Sequence, residues 1–223
     1  MKEHSGETKH LAHPRLLTHI LLGSALVTFY LFAAHLVQGG RQIELLVIAL
    51  GYLCLSLACV SLVIGPLSLL RWRRNPVNID LRRDIGIWSG ITGCLHVLLV
   101  LRGRIQGALL LLYFLHETPQ GYAPLFTIYG VSNDAGLLAA ILLLLLLATS
   151  NTASLRYLKG KRWKLLQRLT YLLIPLILIH TFGYQYLNLR GPLFVWSVIA
   201  LSLLVLICQS LGIALTLTRQ KRH

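Results

Sequence analysis

The sequence is poor in charge. Asp, Glu, Lys and Arg supply 13% of its 223 residues, against roughly 25% in a soluble globular domain, too few to cover a water-exposed surface of this size. Acidic residues are scarcest, seven beside 21 Lys and Arg, and the formal charge is +14. A basic excess also marks nucleic-acid-binding domains. Those do not carry continuous Leu/Ile/Val runs of spanning length, so no nucleic-acid partner is expected. Cysteine is sparse as well. Cys54, Cys59, Cys94 and Cys208 lie inside apolar runs without paired spacing, which excludes a secreted disulfide framework and makes them small buried hydrophobes. What abounds is hydrophobicity, 56% of the chain with a mean hydropathy of +0.69, and this excludes intrinsic disorder. The composition is that of an integral membrane protein, with membrane lipid as its first partner.

A helix needs roughly 20 apolar residues to cross a bilayer. Six runs qualify: 16–37, 44–70, 85–101, 133–150, 165–187 and 192–218. The fold class predicted is therefore all-α, an integral membrane bundle of six transmembrane helices over residues 16–218, between tails at 1–15 and 219–223. The fourth run holds Ile141 followed by six leucines and is the least ambiguous. The third is short if it stops before Arg102. Gly65-Pro66 and Pro175 interrupt the second and fifth runs, as kinks that a membrane bundle tolerates. The stretch 109–115 is apolar but too short to span, and reads as an interfacial or re-entrant piece. A signal peptide competes for the N-terminus, but the first run exceeds a typical signal core and no clear small-residue cleavage site follows. It is taken as a retained span.

Cation placement orients the bundle. The N-terminal tail, the second loop (Arg71, Arg73, Arg74, Arg82, Arg83), the fourth loop (Arg156, Lys159, Lys161, Arg162, Lys164, Arg168) and the C-terminal tail hold seventeen Lys and Arg. The opposite side holds only Arg41, Arg102, Arg104 and Arg190. Both termini are expected in the cytoplasm, as in a multi-pass protein of the inner (plasma) membrane. Residues 102–132 form one long outer connection rich in aromatics, among them Tyr113, Tyr122, Phe126 and Tyr129. A loop of that length tends to be functional, and an aromatic belt anchoring an interfacial segment is the alternative. The short C-terminal tail is expected to carry no soluble catalytic domain.

Ionisable groups inside a bilayer are costly and mark function by default. His96 and His180 lie well within the third and fifth runs, 13 residues beyond Arg83 and 12 beyond Arg168, which places each about 18–20 Å from the cytoplasmic charges. Two helices running in the same direction thus carry one imidazole each at matching depth in the outer half of the membrane. Imidazole is a haem-iron ligand, and two at one level would cap a haem from both faces. Two unrelated histidines bonded to backbone or water are the other reading. Gly86, Ser89, Gly93 and His96 share one helical face, which leaves room for a flat macrocycle or allows close helix packing. Tyr184 lies one turn beyond His180. Propionates of a haem at this depth would emerge near Arg102, Arg104 or His116. His19 and His35, near the ends of the first run, suit snorkelling to the interface.

The stretches "LRRDIGIWSGITGCLHVLL" around His96 and "LLATSNTASLRYLKGKRWKLLQRLTYLLIPLILIH" ending at His180 resemble the ferric reductase-like transmembrane proteins. That family includes ferric reductases, the membrane part of NADPH oxidases and the haem subunit of the bacterial periplasmic methionine-sulfoxide reductase system. The resemblance covers roughly residues 45–187 and implies His96 and His180 as axial ligands of a b-type haem in the outer leaflet. Many relatives have "LHRL" where this chain has "LQRL", so Gln167 stands where an inner histidine would be, and Arg82 and Arg83 hold the matching level of the third run. Gln is no substitute for imidazole, so one haem per chain is expected. Single-haem relatives can place a flavin at the inner level. Trp88, Gln167 and Tyr171 would flank such an FMN, FAD or quinone here.

The expected function is transmembrane electron transfer through one haem b, as the electron-transfer subunit of an oxidoreductase. The donor would be a separate cytoplasmic flavin reductase, a bound flavin or a quinol. The acceptor outside would be a periplasmic reductase, ferric iron or oxygen. The rival is a haem-free scaffold or small transporter whose histidines serve packing or proton handling.

Overall fold

The computed structural model describes residues 12–37, 41–70, 79–104 and 115–220. In chain order the elements are α1 (Ala12–Leu36), α2 (Gln42–Leu70), α3 (Ile79–Arg104), β1 (Leu115–Thr118), β2 (Gly121–Pro124), α4 (Ile128–Thr149), α5 (Thr152–Gln167), α6 (Thr170–Leu187) and α7 (Pro192–Gln220). Six helices are long and apolar enough to cross a membrane, and the protein is a multi-pass, all-α membrane bundle with one small hairpin outside it.

The run boundaries shift for local reasons. The third span is not short, because α3 continues through Arg102 to Arg104. The fourth begins at Ile128 rather than 133, since Thr127 caps α4 by accepting the Gly130 N–H through its side chain. Arg156 to Lys164 do not form a loop: Asn151 caps α5 by accepting the Ser154 N–H. That helix bends at Lys159, whose φ of 57° lies in the left-handed region. Arg168 and Leu169 keep right-handed helical angles between α5 and α6, so the direction of the chain is carried into the fifth span. Of the 109–115 stretch, 109–114 lie outside the described residues, and Leu115 opens an antiparallel hairpin in the register Leu115↔Pro124 to Thr118↔Gly121. Gly121, at φ 120°, makes its turn.

Helix α2 is the hub, packed against α1, α3 and α7, while α4 pairs with α6 and also meets α3. Leu55, Ala58, Cys59 and Leu62 of α2 form one core with Ile174, Val198 and Val205. Cys54 joins Ala139, Leu143, Leu146 and Leu173 in another. All four cysteines are free, and Cys54, Cys59 and Cys208 are buried, as their apolar context suggests. Gly93 is a packing position, not macrocycle space: a Cβ there would run into Leu143 and the Cys54 sulfur. Ser89 seals the same seam by donating to the Cys54 carbonyl at 2.9 Å. The outward faces carry exposed Leu137, Leu138, Ile141 and Leu144 on α4 and Leu203, Leu204, Leu206 and Ile207 on α7. An apolar surface of that extent is at home only in lipid.

Candidate functional site

The two intramembrane histidines come together. The rings of His96 on α3 and His180 on α6 stand 6.2 Å apart between centroids, with their planes at 89°. Two imidazoles sharing one metal, each nitrogen about 2 Å from it, have ring centres roughly 6 Å apart. Among the described residues no group of three or more His, Cys, Asp and Glu is placed to hold a metal ion, so a four-protein-ligand zinc site is not what this pair offers. It suits an iron whose remaining positions a macrocycle fills.

Each ring is fixed the same way. His96 Nδ1 lies 2.8 Å from the Val47 carbonyl oxygen of α2, and His180 Nδ1 lies 2.8 Å from the Ser132 carbonyl oxygen of α4. A carbonyl only accepts, so Nδ1 carries the proton and donates. Nε2 is then left with its lone pair, the tautomer that binds a metal. One turn along from each carbonyl is a glycine. A Cβ on Gly51 would sit 3.1 Å from Nδ1 and Cε1 of His96, and one on Gly136 would sit 2.5 Å from Nδ1 of His180. Both rings therefore bring their Nδ1–Cε1 edge close to helix backbone, in cradles that any side chain would fill. The halves match residue for residue: Val47, Gly51 and His96 in one, Ser132, Gly136 and His180 in the other. The residues present fit a haem held from two sides.

The surroundings of His180 are richer than depth alone indicated. Tyr184 packs its ring 5.0 Å from that imidazole and donates its hydroxyl to Asn133 Oδ1 at 2.6 Å. Tyr129 meets Tyr184 edge-on at 6.2 Å. On the neighbouring interface Gln185, 4% exposed, donates to the Tyr52 hydroxyl and the Phe194 carbonyl. Gly51, Gly136 and Asn133 were missed in the sequence, and Tyr129 was read there only as part of the outer connection. The signal that was available is the repeated spacing of Val47/Gly51 and Ser132/Gly136 ahead of each histidine.

Other expected site residues are placed apart. His116 is exposed on β1 and Arg102 is exposed near the end of α3. Among the described residues no hydrogen bond or ring contact joins either to the histidine pair. Arg104 closes α3, and its side chain lies outside the described residues. Trp88 and Tyr171 are engaged by different neighbouring helices. The Trp88 indole donates to His19 Nδ1 on α1 at 2.9 Å and packs with Leu53, Leu57 and Ile85. The Tyr171 hydroxyl donates instead to Gln209 on α7. His19 is thus an interhelical partner as well as an end-of-span residue. Arg83 is tied down too, donating to the Ser150 carbonyl at 2.9 Å and reaching the Thr152 hydroxyl. Of the inner trio only Gln167 retains an unmet group, a buried Nε2 without a hydrogen-bond partner.

Comparison with known proteins agrees with this architecture. The sequence profile described as "Ferric reductase like transmembrane component" matches residues 47–178, a stretch that takes in His96, Gly51 and Gly136 and stops two residues short of His180. The chain is also similar to a protein-methionine-sulfoxide reductase heme-binding subunit, MsrQ, of Polaromonas naphthalenivorans (strain CJ2). The two are 28% identical over 188 residues, which is 80% of this chain and 76% of that protein. With six helices long and apolar enough to cross a membrane and a match over more than half its length, the chain belongs to the ferric reductase-like transmembrane family.

Proposed function

We propose that the protein is the electron-transfer subunit of a membrane oxidoreductase, holding one haem b between His96 and His180. One observation carries the reading. Two imidazoles from different helices, each locked by a backbone carbonyl with Nε2 left as the acceptor, stand at the spacing of an axial pair. The haem supplies a one-electron centre that protein ligation on both faces keeps closed to further ligands, which favours electron transfer over oxygen binding. The residues of the chain do the rest. Val47 and Ser132 hold the Nδ1 protons, Gly51 and Gly136 admit the rings, and the buried seam of Ser89, Cys54 and Leu143 excludes water below them.

The donor side is the cytoplasmic end, where the buried Gln167 amide, without a hydrogen-bond partner, would meet a flavin (FMN or FAD) or quinone carbonyl. A separate flavin reductase or quinol would supply the electron. On the outer side the relative named as a subunit of a sulfoxide reductase supports a periplasmic reductase as acceptor. The seventeen-to-four cation split supports cytoplasmic termini in the inner membrane. A reporter fused after His223 should be active only in the cytoplasmic form, and activity confined to the outside would reverse the topology.

The purified chain should be red and should contain one protohaem per polypeptide by pyridine haemochrome. Two haems would overturn the count, and a colourless protein would leave a haem-free scaffold or transporter. Gln167→His should add no second haem. Its counterpart level on α3 offers Arg82 and Arg83, and guanidinium groups stay protonated and do not ligate iron.

A further inference from the structure

The two halves that hold the histidines agree at the backbone and differ at the side chains beside it. Next to Ser132 stands Asn133, and one turn beyond His180 stands Tyr184. The equivalent positions beside Val47 and beyond His96 hold Ile48 and Val100. At these positions the His96 half has two apolar residues and the His180 half a polar pair. The polar pair is well made. Asn133 is 5% exposed, the Tyr184 hydroxyl meets its Oδ1 at 2.6 Å, toward the short end for O–H···O, and the Tyr184 ring lies tilted at 51° against His180. Tyr129 meets the Tyr184 ring edge-on. At the matching positions in sequence the other half has only the apolar Ile48 and Val100, so the buried polar pair is particular to the His180 half.

We propose that Tyr184, tethered by Asn133, is a positioning residue that makes His180 the polar-side ligand and lowers the potential of the haem. The inference rests on the haem reading above. A bis-imidazole haem gains one positive charge on oxidation, and an apolar shell opposes that charge. Polar groups fixed beside the ligand ease it, and they act strongly because the local dielectric is low. The hydroxyl tether also keeps the Tyr184 ring against the imidazole, so that His180 has two fixed neighbours, the Ser132 carbonyl and the tyrosine ring. His96 is held by its hydrogen bond to the Val47 carbonyl.

The test is a redox titration of the full-length chain in detergent, as wild type, Y184F, Y184L and V100A. The low-spin absorbance of each is recorded first. Y184F removes only the tether and keeps the ring, so it is the variant that folds with least disturbance. At the wild-type midpoint its ratio of reduced to oxidised haem should rise by up to about tenfold, a shift of about 59 mV for one electron. Y184L should rise at least as far, and V100A should titrate with the wild type. A Y184F midpoint at or below that of the wild type overturns the proposal, as does an equal shift in V100A. A wild type without low-spin haem is a different outcome, and it removes the haem reading itself.

Discussion

Alanine at His96 or at His180 is expected to abolish low-spin haem, each substitution alone being sufficient. A six-coordinate iron needs both imidazoles, and no other His, Cys, Asp or Glu among the described residues stands with them to take the vacated position. Removing one ring also takes away the extra hydrogen bond to a helix carbonyl, Val47 in one case and Ser132 in the other. Loss of a single buried hydrogen bond costs only about 1–3 kcal/mol, small beside the stability of a bundle stitched together along α2. The apoprotein should therefore accumulate in the membrane with its haem gone. His35→Ala and His116→Ala, at exposed positions on α1 and β1, should leave haem content at the wild-type level. Absorbance spectra of the reduced proteins, normalised to polypeptide, decide the matter. An unchanged spectrum in either His96→Ala or His180→Ala would falsify the ligand assignment.

The second large effect comes from a single methyl group. Gly136→Ala places a Cβ 2.5 Å from His180 Nδ1 and 2.9 Å from Cε1, so the ring must leave its place against α4 and break its bond to Ser132. Disturbing the groups that orient a metal ligand typically costs about 10–100-fold in affinity, and haem retention should fall on that scale. Gly51→Ala, with a closest approach of 3.1 Å to His96, should be milder. Gly86→Ala meets nothing within 4 Å and should bind haem as the wild type does. Haem retained per chain after challenge with apomyoglobin gives the order Gly136→Ala below Gly51→Ala below Gly86→Ala. Equal retention by the first and third would show that the glycine cradle plays no part in haem binding.

The sequence by itself determined the membrane class, the six spans and the two histidines. Apolar runs of spanning length, and imidazoles deep within them, have no cheap alternative in lipid, where backbone must pair with itself and polar side chains must have a reason to be present. It also determined that the inner level lacks a histidine pair, since Gln167, Arg82 and Arg83 are legible without a fold. The tertiary structure decided everything that depends on which helices touch. Small residues on α3 suit a macrocycle and a packed seam equally in one dimension, and only the approach of Leu143 and Cys54 to Gly93 chose the seam. Trp88, Gln167 and Tyr171 sit at similar depth by counting residues, yet the rotation of α3 toward α1 and of α6 toward α7 sends Trp88 to His19 and Tyr171 to Gln209. Depth is a sum of rises along one helix and can be read from the sequence. Azimuth is set by the packing of neighbours, and so the carbonyls of Val47 and Ser132, the glycines beneath the rings and the Tyr184–Asn133 pair became visible only once α2 lay against α3 and α4 against α6.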